Sequence, residues 1–307
     1  MSEARRLFAE AVAWGGLDAD ALERLLRDDL AVDLEPAGVD VTAACFPGIA
    51  GPAEVALVAR EPGRLAGLDL VAPLLEAPEA AGVACAFHRR DGDAVAAGET
   101  LAVFTGPRPA VLTIERTLLN LVGHLAGVAT AAATLVDAVR AAGSDAAVLD
   151  TRKTLPGLRK LQKYAHRRGG GTAHRTGLGD AVLVKDNHLA GVPLGELAAT
   201  LAAAASAARS RFPGLRFVEV EVDTLDQLRE VLKAPVDFVL LDNFDAGWLA
   251  EAVAMRDAAA PGVRLEASGG VTLETVGSLA VPGIDRVSVG AITHSARSLD
   301  LGFDDAG

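Results

Sequence analysis

The chain has 307 residues, half of them hydrophobic and 23% charged, with a formal net charge of −12 and a mean hydropathy of +0.30. That length suits two domains, or one barrel with an appendage, and a core large enough to need neither a metal staple nor a disulfide. The acidic balance and an aromatic content of 4% oppose nucleic acid as a partner, no apolar run of about 18 residues points to a membrane span, and the charged start MSEARRLFAE lacks a signal-peptide core.

The first 115 residues read as a small antiparallel α+β unit. A helix is predicted over 17–28, with Asp18 as N-cap before Ala19, Ala21, Leu22, Leu25 and Leu26 at helical spacing. Strand-like runs follow at 55–61, 82–90 and 100–106, separated by Gly and Pro turns. Segment 91–106 resembles the turn of a biotinyl or lipoyl carrier, but no lysine precedes Lys153, which excludes swinging-arm chemistry. Cys45 and Cys85 have no basic neighbour in sequence and read as core thiols, compatible with a cytoplasmic protein. A long helix is predicted from Ile114 to Ala142 on the spacing of Leu118, Leu121, Val122, Leu125 and Val128, with Gly123 and Gly127 permitting close packing.

From residue 146 the rhythm changes to apolar strands at 146–150, 181–187, 217–222, 238–243, 264–270 and 286–291, with helices predicted over 194–211, 225–231 and 248–259. Such alternation predicts parallel strands with right-handed crossovers, buried on both faces. A barrel is preferred to a doubly wound sheet because every strand ends in polar or glycine residues, and the C-terminal strand ends of a barrel form its active face.

Those ends carry the candidate chemistry. Thr151–Lys185 holds nine of the chain's Lys and Arg residues against a single acid, Asp180; part of this run, at Arg159, Lys160, Lys163, Arg167 and Arg168, reads as a solvated helix face. Arg152, Lys153, His174, Arg175 and Lys185 suit several carboxylate or phosphate oxygens, arginine offering a planar fork. Glu221 and Asp242 end two strands in this cationic rim and suit hydrated Mg²⁺ on phosphate oxygens. Ser268-Gly269-Gly270 and Val289-Gly290-Ala291 follow the last two strands, where backbone N–H groups of phosphate-binding barrels cradle a monophosphate; His294 lies four residues beyond Gly290. The pocket so described takes a dianionic acid beside a phosphorylated sugar. His88, His124 and His166 lack metal-ligand spacing and read as structural, and no Walker or G-x-S-x-G motif occurs.

The blocks ERTLLNLVGHLAGVAT (115–130), DTRKTLPGLRKLQKYAHRRGGGTAHRTGLGDAVLVKDNH (150–188), VEVEVDTLDQL (218–228), LLDNF (240–244), EASGGV (266–271) and SVGAITHS (288–295) resemble the quinolinate phosphoribosyltransferase family. The resemblance implies an α/β fold: an N-terminal α/β sandwich over 1–115, joined by the tail 293–307, and an open, incomplete α/β barrel over 116–292. It implies phosphoribosyl transfer from phosphoribosyl pyrophosphate to quinolinate with decarboxylation, giving nicotinate mononucleotide, pyrophosphate and CO₂ for NAD biosynthesis. Arg152, His174 and Arg175 would then contact the quinolinate carboxylates, with Thr151 beside them and Lys185 near both substrates. Lys153, Glu221 and Asp242 would engage phosphoribosyl pyrophosphate and its Mg²⁺, the 268–270 and 289–291 loops with His294 its 5′-phosphate. Arg116 would enter the pocket of a neighbouring subunit in a homodimer with shared sites. Ala173 and Gly179 depart from residues common in the family, at positions without assigned chemistry. Two alternatives are a molybdenum-transport-associated or other anion-binding paralogue, which Lys185-Asp186-Asn187-His188 disfavours, and a Schiff-base aldolase using Lys185.

Overall fold

The computed structural model describes residues 1–46, 49 and 51–306; positions 47, 48, 50 and 307 of the expected domain spans lie outside the described residues. The chain forms two compact units, residues 1–131 with 160–170 and 296–307, and residues 132–159 with 171–295. The first unit thus takes in most of the long helix and a segment, 160–170, that the sequence alone assigns to the barrel.

The first unit opens with α1 (Glu3–Gly15), which the sequence reading missed. Ala4, Leu7, Phe8 and Ala11 form its buried face, and the Ser2 hydroxyl accepts the Arg5 amide at 3.2 Å to cap it. Helix α2 (Ala19–Asp33) is capped as expected, with the Ala21 amide donating to Asp18 at 3.0 Å, and α3 (Val41–Cys45) follows. Next come β1 (Pro52–Ala59), β2 (Gly63–Arg64), α4 (Ala72–Leu75), β3 (Ala84–Phe87), β4 (Ala94–Val95), β5 (Thr100–Pro107) and α5 (Arg108–Ala141).

The second unit contains β6 (Ala147–Leu149), β7 (Val182–Val184), α7 (Leu197–Arg211), β8 (Val218–Val222), α8 (Leu225–Val231), β9 (Phe238–Asp242), α9 (Ala246–Ala259), β10 (Arg264–Ser268), α10 (Leu273–Leu279), β11 (Arg286–Ser288) and α11 (Ala291–His294). Helix α6 (Arg159–Arg168) lies between β6 and β7 in the chain, and β12 (Leu301–Asp305) ends it.

In the first unit, β12, β1, β5 and β3 form an antiparallel sheet in that order, with Leu57 opposite Phe303 on one side and Ala102 on the other. The C-terminal segment is therefore a strand of the first unit. It also passes close to α5: a Cβ on Gly127 would lie 2.0 Å from the Arg297 carbonyl oxygen, so only glycine fits there. The basic run on α6 is only partly a solvated face: Lys160 is exposed and Arg159, Arg167 and Arg168 are half-buried, but Lys163 is buried, as are Gln162, His166, Leu161, Tyr164 and Ala165. Tyr164 donates at 2.7 Å to the buried Asp91, which also accepts the Gly67 and Leu68 amides, and Gln162 meets His124 at 3.0 Å. Burial, then the neighbouring Asp69, push Asp91 up to about 6. Cys85 is largely buried, its thiol pushed up to about 12 by burial, but Cys45 is exposed and is no core thiol.

One correction concerns membranes. Residues 117–136 contain no Asp, Glu, Lys or Arg, so α5 is long and apolar enough to cross a membrane by composition. Two-thirds of its most apolar window is buried inside the protein, as in a core helix.

The second unit is a parallel sheet in the order β6-β11-β10-β9-β8-β7. From β7 to β11 each strand pairs with its successor, and β11 pairs with β6, the first. This is the winding of a barrel rather than of a doubly wound sheet, open at the β6–β7 seam, where a single bridge joins Leu149 to Thr172. Val220, Val239, Leu265 and Val287 are fully buried, and the strands' C-terminal ends bring the candidate residues to one rim.

Candidate active site

Lys153 sits on the turn after β6. Its amide donates to the Thr151 hydroxyl at 3.0 Å, and its carbonyl accepts from the Thr293 hydroxyl at 2.7 Å, which fastens this turn to α11. Residues 289–291 lead from β11 into α11. A Cβ on Gly290 would lie 3.1 Å from His294 Nε2 and 3.2 Å from Lys153 Cδ, so Lys153, Gly290 and His294 meet at one spot. His294 Nδ1 shares a hydrogen with Ser295 at 2.6 Å.

Arg152 and Arg175 form the second cluster. Arg175 is 7% exposed, and among the described residues no carboxylate lies within ion-pair distance of its guanidinium. Burial first, and then Arg152, lower its proton affinity. Arg152 Nε is also buried with no hydrogen-bond partner. Two adjacent cations left this way are built for an anion that arrives from outside.

The third cluster is acidic. Glu221, ending β8, pairs with Lys185 beyond β7 at 2.6 Å. Burial, and then Asp223, raise Asp242 at the end of β9; Lys185 and Lys153 pull it down and Asp186 pushes it up again. These groups therefore share one electrostatic neighbourhood. Asn243 takes φ of 58°, donates from its side chain to Asp242 at 2.7 Å and from its amide to the Ser268 carbonyl at 2.9 Å. Gly269 has φ of 92°, and a Cβ there would lie 2.2 Å from Asn243 Oδ1; Gly270 has φ of 56°. Asp186, Asp223 and Asn243 belong to the polar strand ends that the barrel rule marks in the sequence, which assigns them no individual chemistry. The hard oxygen donors Glu221 and Asp242, with Asp223 and Asp186 adding negative charge, fit Mg²⁺.

His174 has its ring engaged on both sides within the protein. The Arg175 amide donates to Nδ1 at 2.6 Å, and Nε2 lies 3.1 Å from Glu219 and 3.4 Å from Glu266. Burial resists a charged imidazole, but the two carboxylates prevail and raise it to about 9. Burial and Glu219 also raise Glu266. With Arg286 on both carboxylates, one proton beyond the neutral imidazole makes the cluster neutral; His174 and Glu266 both gain proton affinity and compete for it, and Nδ1 accepts the Arg175 amide while the proton rests on Glu266. Arg116 lies exposed on α5 in the first unit and makes no ion pair among the described residues.

An open, singly wound α/β barrel with unpaired cations, glycine loops and a carboxylate cluster on its rim defines an enzyme that handles polyanionic, phosphate-bearing substrates. The chain belongs to the quinolinate phosphoribosyltransferase family: the model of the family's N-terminal domain matches residues 40–126 and that of its C-terminal domain residues 128–304. It is 43% identical to the nicotinate-nucleotide pyrophosphorylase [carboxylating] of Mycobacterium leprae over 93% of this chain and 96% of that protein. It is 36% identical to the human enzyme of the same name over 82% of each. The structure of the nicotinate-nucleotide pyrophosphorylase from Francisella tularensis superposes with a TM-score of 0.83 at 33% identity, covering 94% of this chain and 97% of that one.

Proposed function

We propose that the protein transfers the phosphoribosyl group of phosphoribosyl pyrophosphate to quinolinate and decarboxylates the adduct, in NAD biosynthesis. The observation that carries this reading is Arg175, a buried residue beside Arg152 with no carboxylate to pair with among the described residues. These two cations, with Lys185, receive the two carboxylates of quinolinate. The 268–270 and 289–291 loops, with His294, receive the 5′-phosphate, and Lys153 faces the pyrophosphate.

The ring nitrogen attacks C1 of the ribosyl unit as the C1–O bond to pyrophosphate breaks, through an oxocarbenium-like state. Lys153 neutralises charge that grows on the leaving group, and its fixed turn means little reorganisation accompanies that change. Glu221 and Asp242 would hold Mg²⁺, which when bound with the substrate supplies further neutralisation of pyrophosphate. Alkylation leaves the ring nitrogen cationic. The C2–carboxylate bond then breaks, CO₂ departs, its electron pair stays at C2 beside that cation, and C2 takes up a proton. Quinolinate, phosphoribosyl pyrophosphate and the proton thus balance nicotinate mononucleotide, pyrophosphate and CO₂.

The test incubates purified protein with quinolinate, phosphoribosyl pyrophosphate and Mg²⁺ and follows nicotinate mononucleotide. Quinolinate should outrun nicotinate strongly, because one missing carboxylate leaves desolvated cations unpaired at about 2–5 kcal/mol. Equal turnover of nicotinate would overturn the substrate, and full activity in excess EDTA would overturn the metal.

The reading includes a cytoplasmic setting, which two free cysteines suit, and a homodimer with shared sites. Arg116 supports the latter: it is exposed, makes no ion pair among the described residues and lies in the first unit, whereas every other assigned group lies in the second. Mixed dimers of Arg116→Ala and Lys153→Ala would hold one site with both lesions and one with neither, and should regain about half of wild-type activity per mixed dimer. No recovery, with exchange confirmed by mass, would remove the shared site.

A further inference from the structure

The barrel interior beneath the rim is charged where apolar layers are the rule. Glu219 and Glu266 are 0% exposed, His174 6% and Arg286 8%. They form a closed ring of charge contacts, in which Arg286–Glu219 is a hydrogen bond while Glu219 Oε2, both Glu266 oxygens and Arg286 Nε make none. Arg286 donates from one guanidinium nitrogen to Glu219 Oε1 at 2.7 Å and sets Nε 2.7 Å from Glu266 Oε2. The remaining oxygens, Glu219 Oε2 and Glu266 Oε1, both face His174 Nε2. Phe238 lies under the Arg286 guanidinium at 3.2 Å, and Phe217 packs edge-on against both His174 and Phe238.

The ring also has a defined place. Glu219 and Glu221 share one face of β8, and Glu266 and Ser268 one face of β10, because strand side chains alternate. The ring therefore sits two residues, about 7 Å, below the rim on the same interior face. Its hydrogen bond toward the rim is made at His174 Nδ1, which accepts the Arg175 amide. The Asp150 carboxylate holds the His174 amide at 2.9 Å, and Arg216 reaches the His174 carbonyl at 3.4 Å. The backbone from which the Arg175 guanidinium springs is thus fixed from three sides.

A buried ionic ring is a poor way to gain stability, since well-packed apolar residues of similar volume do as well or better. We propose, resting on the quinolinate reading, that Glu219, Glu266 and Arg286 are positioning residues that act through His174 to set Arg175 for the substrate's carboxylates. The phosphoribosyl pyrophosphate side of the site hangs on other connections, through Thr293 and Asn243. The ring therefore governs one substrate and not the other.

The test uses the full-length protein and the double variant Glu266→Leu/Arg286→Met, which removes one charge of each sign and keeps the volume. Its quinolinate KM should rise roughly 10- to 100-fold, as for a binding group displaced by about an ångström. The phosphoribosyl pyrophosphate KM should stay within about twofold, a contrast that general loss of stability would not produce. The affinity for phthalate, which carries the same adjacent carboxylates without the ring nitrogen, should fall in parallel. Val239→Ala, a core change off the ring, should lower the melting temperature and leave both KM values alone. An unchanged quinolinate KM in the folded double variant, or an equal rise for both substrates, overturns the proposal. If the double variant does not fold, His174→Gln replaces it: the amide drops the ring's hold on both carboxylates, and an unchanged quinolinate KM again overturns the role. Wild-type protein that makes no nicotinate mononucleotide overturns instead the functional reading beneath it.

Discussion

Around the strand ends, Lys185 meets Glu221 with the lysine side chain 45% exposed, and Arg175 has no carboxylate partner among the described residues. One layer down, Arg286, Glu219, His174 and Glu266 close on one another, and both carboxylates touch both Arg286 and His174. The residue types are nearly the same in the two layers. The difference is charge pairing: a rim charge can exchange water or a neighbour for a ligand, whereas each interior charge already has an opposite charge within 3.4 Å and cannot leave it without a large desolvation penalty, even though Glu219 Oε2, both Glu266 oxygens and Arg286 Nε make no hydrogen bond there. Charge alone therefore does not mark a binding residue; an unmet charge does.

The sharpest way to break this contrast is to remove the unmet charge. Arg175→Ala should lower kcat/KM for quinolinate by about 30- to 5,000-fold, the equivalent of about 2–5 kcal/mol for a buried charge that meets an opposite charge in the complex. The fold should survive, because no protein carboxylate loses a partner. Steady-state kinetics together with a thermal melt decide it: near-normal kinetics, or collapse of the fold, would show that Arg175 belongs with the charge-paired layer.

The contrast also separates what could be read from the sequence from what could not. Strand positions were legible because buried parallel strands write nearly continuous apolar runs, and β8 and β9 fall within a residue of their expected spans. The rim was legible because strand ends are where barrels place chemistry. Glu219 was legible in principle: FVEVEV sets Glu219 and Glu221 two apart, hence on one face, and only its depth assigns it to another layer. The inward turn of His174 was not legible, since its ring is captured by Glu219 and Glu266, 45 and 92 residues further along. Likewise the basic run on α6 reads as solvated, and only tertiary packing buries Lys163 and His166. Helix α1 was missed because its buried face relies on two alanines beside Leu7 and Phe8, a weak apolar signal in a charged segment.

The glycine loop sharpens the comparison from the phosphate side. Gly269→Ala places a Cβ at φ of 92° and against Asn243, which in turn holds Asp242 and the Ser268 carbonyl. Stability should fall by about 1–3 kcal/mol, and the phosphoribosyl pyrophosphate KM should rise more than the quinolinate KM. Denaturant unfolding and the two KM values check this. A rise confined to quinolinate would mean that the two halves of the rim are not held independently.

The smallest effect concerns the loop that carries Arg175 away from the ring. Asp180 accepts the amides of Thr176 and Gly177 at 2.8 and 3.2 Å, the Thr176 hydroxyl at 3.0 Å and Arg216 at 3.1 Å. Burial works against its charge, but these donors outweigh burial and hold it at about 2, below its ordinary 3.8. A carboxyl depressed in the folded state binds its proton more readily when unfolded. Its stabilising contribution is therefore complete above about pH 4 and disappears as pH falls through 2. Asp180→Ala should accordingly unfold at lower urea concentration than wild type at pH 7, and the gap between them should shrink between pH 4 and pH 2. The quinolinate KM should rise only a few-fold, since the interior ring still holds the start of the loop; this is an order-of-magnitude expectation for one exposed-side support. A gap that persists unchanged at pH 2 would mean that Asp180 acts by packing rather than by charge, and a KM effect as large as that of the ring variants would place the control of Arg175 in the loop instead of in the layer beneath it.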